Sequence, residues 1–171
     1  MAEDGADARR PLLAADIPVA HTPEGGWHGA MPPPILGGCM EPLSEGAPDL
    51  RGTWKAVTVE RDGQLLPDHP LNRHVERIEQ CGDRIVVTSE PIIHDMRADG
   101  TLANGVNDVA AANLSPIRVA AVFKDGRLDL HPFGYEESRP ALVTREIVDG
   151  HLIWVYAGTR VVMERTAGLP K

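Results

Sequence analysis

Four Asp-Gly pairs, beginning at Asp62, Asp99, Asp125 and Asp149, each stand between two short runs rich in β-branched and aromatic residues. Asp-Gly is a strong hairpin signal because both residues accept the left-handed backbone that a two-residue turn demands. A related turn, Cys81-Gly82-Asp83, separates Arg73–Gln80 from Arg84–Ser89. The remaining runs are Trp54–Arg61, Ile92–Arg97, Thr101–Ala110, Ile117–Phe123, Arg127–Pro132, Ala141–Val148, His151–Ala157 and Arg160–Arg165. Pro67 and Pro70 make Gln64–Asn72 a loop, and Pro91 belongs at a bend, where its missing N–H does no harm. Strands joined in succession by tight turns lie side by side and antiparallel. About eight to ten of them predict an all-β fold, an up-and-down antiparallel β-barrel, since a sheet of that size removes its edges by closing. A two-layer sandwich needs longer crossovers, and only Gly134–Pro140 qualifies as one.

The first strand opens on Gly52-Thr53-Trp54, and basic residues, Arg160 and Arg165, lie in the last. A Gly-x-Trp at the start of a meander with a basic residue near its end resembles the signature of the calycins, the lipocalins and fatty-acid-binding proteins. The resemblance covers residues 50–166. It implies that Trp54 plugs one end of the barrel beneath a stacked guanidinium. It also implies a cavity for a small hydrophobic molecule. The prolines of Gln64–Asn72 stand where a fatty-acid-binding protein carries a helical pair.

Residues 1–49 form an irregular N-terminal arm, and 50–171 the barrel. Gly25-Gly26, Pro32-Pro33-Pro34 and Gly37-Gly38 exclude long regular elements from the arm, although 6–17 suit a short helix. Trp27, Met31, Ile35, Leu36, Met40 and Leu43 punctuate the arm, and a solvated linker has little use for them. The arm therefore packs on the outside of the barrel or on a second copy of the chain as a homodimer, or it acts as a lid whose Trp27 or Met31 touches ligand.

The net charge is −8, which disfavours nucleic acid and anionic membrane as partners. The acidic N-terminus lacks the apolar run of a secretory signal, and the chain reads as cytoplasmic. Cys39 and Cys81 follow no metal spacing and read as two reduced thiols.

Strand alternation puts Leu152, Trp154 and Tyr156 on one face and Val161, Met163 and Arg165 on one face of the next strand. With Trp154, Tyr156 and Met163 inward, an apolar lining with one phenolic tip results; Phe123 is a further lining candidate. His94 shares a face with Met96, and Glu146 shares one with Leu142, Thr144 and Val148, so these two are the acid–base candidates. None of the seven histidines has zinc-ligand spacing, and no nucleophile elbow, phosphate loop or nucleotide fingerprint occurs. No metal and no cofactor are expected. Three functions follow: binding of a small hydrophobic molecule, a cofactor-free isomerase or cyclase that preorganises a hydrophobic substrate, and a filled barrel with an interaction role.

Overall fold

The computed structural model describes residues 12–166. Its strands are β1 (Gly52–Arg61), β2 (Gln64–Leu65), β3 (Val75–Cys81), β4 (Arg84–Ser89), β5 (Ile92–Arg97), β6 (Val106–Val109), β7 (Pro116–Lys124), β8 (Arg127–Pro132), β9 (Val143–Val148), β10 (His151–Tyr156) and β11 (Thr159–Arg165). One antiparallel sheet runs β5-β4-β3-β1-β11-β10-β9-β8-β7-β6, with β2 a two-residue appendage of β1. Chain-end strands thus pair at the centre of the sheet, from Trp54 opposite Arg165 to Arg61 opposite Thr159. The sheet curls into the expected up-and-down barrel of about ten strands.

Three of the four Asp-Gly pairs turn hairpins with both residues at positive φ: Asp62-Gly63, Asp125-Gly126 and Asp149-Gly150. Ala157-Gly158 does the same between β10 and β11. Asp99-Gly100 does not. The Asp99 carboxylate accepts hydrogen bonds from Thr101 N at 2.9 Å, Thr101 Oγ1 at 2.7 Å and Asn104 Nδ2 at 2.6 Å. Such local bonds compete with a strand ladder, and the expected Thr101–Ala110 strand shrinks to Val106–Val109.

Register slips between Ala56 and Thr58 where β1 meets β11. This bulge lets Ala56 and Val59 both face the interior, leaving Val57 exposed. The core then unites Leu50, Trp54, Ile78, Ile85, Leu128, Leu152 and Met163, each at most 1% exposed, with Val87, Met96 and Trp154 beside them.

The closing strands β5 and β6 meet without a ladder. His94 Nε2 bonds Val109 O at 2.8 Å, Arg97 N donates to Asn104 O at 2.7 Å, and Gly100 N donates to Ala121 O at 2.8 Å. The arm seals this seam. Ala20 N donates to Asp95, Thr22 N to Asp108 and Ile93 N to Thr22 Oγ1, so arm backbone and side chains satisfy edges that would otherwise be open.

From there the arm crosses the outer faces of β5, β4 and β3. Leu36, Ile35, Trp27 and Ile17 pack on Val86 and Ile93. Because an irregular chain has no ladder of its own, barrel side chains supply its partners. Arg84 uses all five of its N–H donors, on Asp95 and on the carbonyls of Ala14, Ile17 and Pro18. Arg77 donates to Pro32 O and Pro33 O, while Glu79 accepts from Ile35 N and Leu36 N. Cys39 and Cys81 form a disulfide that staples the arm to the end of β3. This corrects the reading of two reduced thiols: Cys81 ends β3 on its outward face, where the arm brings Cys39 to it. Of the short helix expected over 6–17, residues 6–11 lie outside the described residues, and the described part holds a single 3-10 turn, Ala14–Asp16.

Candidate functional site

Trp54 lies at the end of the barrel where β1 begins and β11 finishes. Arg165 stacks on it with Cζ 4.4 Å from the indole centroid. The Trp54 Nε1–H donates to Leu50 O at 2.9 Å, and the Arg165 guanidinium donates to Arg51 O. Gly52, at φ +142, is required here, because a Cβ would overlap that guanidinium. Arg160, the other basic candidate, pairs with Glu60 on the outside at 2.8 Å. The first-to-last strand pairing and the Trp54–Arg165 stack are what the resemblance of the Gly52-x-Trp54 opening to the calycins implies.

A charged cluster occupies the interior. Glu76 on β3 is fully buried, and Arg145 reaches it from β9, donating through Nε at 2.9 Å and Nη2 at 3.2 Å. Alternation explains the placement: Glu76 shares the inward face of β3 with Ile78, and Arg145 that of β9 with Val143 and Ile147. His74, just before β3, places Nε2 2.7 Å from Glu76 Oε1. Burial alone would push the Glu76 carboxyl up, but the charge of Arg145 and the hydrogen bonds from His74 and Arg145 bring it down to about 2. An ionised carboxylate only accepts, so His74 Nε2 carries the proton of their bond and Nδ1 is the ring's other, separate site.

Trp154 forms the wall of this cluster. It lies opposite Arg145 in the β9–β10 register. Arg145 Cζ stands 5.1 Å from its ring centroid and the His74 ring 4.6 Å away. Trp154 is 8% exposed, yet its Nε1–H has no hydrogen-bond partner among the described residues. His74 also lines a cleft of about 470 Å³, with Trp27, Met31, Leu71, Arg73 and Glu90 around it. The cleft lies where β3 begins and β4 turns into β5. A second cleft of about 480 Å³ follows the β5/β6 seam; Arg84, Asp95 and Asp108 on its walls are engaged with the arm.

The residues singled out from sequence divide among these places. Trp154 and Met163 are in the barrel core, and Phe123 packs against it. Tyr156, 49% exposed, stands edge-on to Trp154 with centroids 6.3 Å apart. Trp27 and Met31 wall the cleft, and Trp27 Nε1 donates to Ile92 O at 2.9 Å. His94 is at the seam, where burial lowers its pKa. Glu146, the other acid–base candidate, is half-buried on the face of β9 opposite Arg145. His74, Glu76 and Arg145 were not among the sequence candidates. The signal available was that two charged residues hold apolar parity, Glu76 with Ile78 and Arg145 with Val143.

Among the described residues, no group of three or more His, Cys, Asp or Glu side chains is placed to hold a metal ion. No helix there is long and apolar enough to cross a membrane. No protein-family model and no curated protein matches the sequence. Two solved structures are similar in fold. Human cRBP IV is 16% identical with a TM-score of 0.45, over 69% of this chain and 98% of that one. Apo Caenorhabditis elegans lipid binding protein 8 (LBP-8) is 16% identical with a TM-score of 0.44, over 68% of this chain and 94% of that one.

Proposed function

We propose that this chain binds one small hydrophobic molecule, which reaches the barrel interior by way of the His74 cleft and rests against Trp154. The observation that carries this reading is the buried, unpartnered Trp154 Nε1–H beside a fully matched ion pair. An orphaned buried donor costs about 1–3 kcal/mol, and a ligand acceptor would recover it. Trp27 and Met31 offer an apolar approach past His74. The test is native mass spectrometry of gently purified protein, followed by denaturation. One apolar molecule released per chain is expected, and Trp154→Phe should retain less of it. Empty protein that also shows no saturable uptake of an uncharged naphthalene probe would leave the filled barrel with an interaction role as the better account.

The His74–Glu76 pair supports a second reading, a cofactor-free isomerase or cyclase. A carboxylate that fixes the tautomer of a histidine leaves the other ring nitrogen available as a general base. If that is its use, a benzisoxazole probe, which opens when a base removes its ring proton, should turn over in the wild type and not in His74→Ala. Equal turnover in both would exclude His74 as the base. The Cys39–Cys81 disulfide favours an oxidising compartment over the reducing cytoplasm expected from the sequence.

A further inference from the structure

We infer that the molecule bound here is uncharged and presents a hydrogen-bond acceptor, such as a ketone, ester or ether oxygen, and that carboxylates are refused. The inference rests on the binding reading above and concerns the chemical class of the occupant.

Two observations lead to it independently. The first is charge. The guanidinium inside the barrel is already neutralised, since Arg145 gives its Nε and Nη2 edge to Glu76 in a two-point pair. That geometry is the one a ligand carboxylate would need. A second carboxylate would find that two-point edge occupied and would stand against the ionised Glu76 in a site that has little water to screen the repulsion. His74 Nε2 is likewise committed to Glu76, and His94 Nε2 to Val109 O.

The second is donor and acceptor accounting. The buried side-chain polar atoms without a hydrogen-bond partner among the described residues are Arg77 Nε, Thr88 Oγ1, both ring nitrogens of His131, and Trp154 Nε1. Arg77, Thr88 and His131 alternate with Ile78, Val87 and Leu130, which face the core, so they belong to the outer face of the sheet. Trp154 Nε1 is the one that belongs to the interior. An indole N–H donates and cannot accept. Its natural complement is therefore an acceptor, and with the local charge balanced, an uncharged one.

A matched set of probes isolates the claim: methyl naphthylacetate, naphthylacetate and ethylnaphthalene share one ring system and differ in the polar group. Calorimetric titrations of the full chain at about pH 8, where the free acid is ionised, should give the ester an affinity at least about tenfold above the carboxylate and about fivefold above the hydrocarbon. Trp154→Phe should erase the advantage of the ester over the hydrocarbon. Glu76→Gln frees Arg145 and should raise carboxylate affinity by about tenfold or more. A carboxylate that binds wild-type protein as tightly as the ester overturns the inference and leaves the binding reading intact. An ester no tighter than the hydrocarbon overturns the role of the indole donor. If none of the three saturates, the binding reading itself fails. The comparison of probes in the wild type needs no variant, so it stands even if Glu76→Gln does not fold.

Discussion

Acid should remove a contribution to stability that belongs to Glu76, and Glu76→Gln should abolish that part of the pH dependence. Burial pushes this carboxyl up, and the Arg145 charge with the bonds from His74 and Arg145 overcomes it, so that it titrates at about 2 rather than 4.5. A group whose folded-state pKa is depressed stabilises fully above its unfolded value and loses that contribution as the pH falls toward the folded one. The window is therefore about pH 4.5 down to about 2. At about 1.4 kcal/mol per pK unit, the gap corresponds to about 3 kcal/mol. Urea unfolding of wild type and Glu76→Gln across that window gives the measurement. The variant starts lower because Arg145 loses its counter-charge in the interior, and the two stability curves should converge toward acid by about 3 kcal/mol. Asp49, Asp99 and Asp108 also lie below their ordinary values, but they are common to both proteins and cancel in the difference. Parallel curves would refute the argument, for they would mean that Glu76 is not ionised and paired in the folded chain.

The staple and the guanidinium under the arm make two further predictions. The Cys39–Cys81 bridge closes a loop with a sequence separation of 42, so Cys39→Ser with Cys81→Ser should lower unfolding stability by up to about 4 kcal/mol on chain-entropy grounds; an unchanged urea midpoint would show that the other anchors suffice. Arg84→Met strands the buried Asp95 carboxylate and three arm carbonyls, a loss of roughly 3–5 kcal/mol. Hydrogen exchange should then show residues 14–22 opening well before the barrel, and unaltered protection there would contradict the assignment.

What could be read from the sequence was local. Asp62-Gly63, Asp125-Gly126 and Asp149-Gly150 turn where they stand because their conformation depends on two residues. Asp99-Gly100 misled because the competing partners, Thr101 and Asn104, are a few residues further on. The Gly52-x-Trp54 opening was legible as a motif, whereas the choice of Arg165 over Arg160 depended on strand register. Glu76 and Arg145 meet across the barrel from strands 69 residues apart, and no local pattern reports such a meeting. Arg77, Glu79, Arg84 and Asp95 did not stand out as anchors for a different reason. A charged residue on the outer parity of a strand normally faces water, and here an irregular arm covers it. The cysteines escaped for the same cause, since their pairing follows from where the arm lies.

The arm and the barrel therefore complete each other's hydrogen bonding, and this bears on the site. The arm has no ladder of its own, so its carbonyls and amides depend on Arg77, Glu79, Arg84 and Asp95. The barrel in turn has no ladder between β5 and β6 and depends on Ala20 and Thr22 to cover that seam. Within this mutual arrangement the cleft wall is fixed at two points, because Trp27 N donates to Pro91 O at 3.0 Å and Trp27 Nε1 to Ile92 O at 2.9 Å. A wall tied to the β4–β5 turn at both backbone and side chain is already in position before anything binds. In the proposed binding reading such a wall adds little of the ordering cost of a closing lid, and discrimination would fall to the polar groups behind it. Those are His74, the Glu76–Arg145 pair and the Trp154 N–H, the groups on which the proposed preference for an uncharged occupant rests.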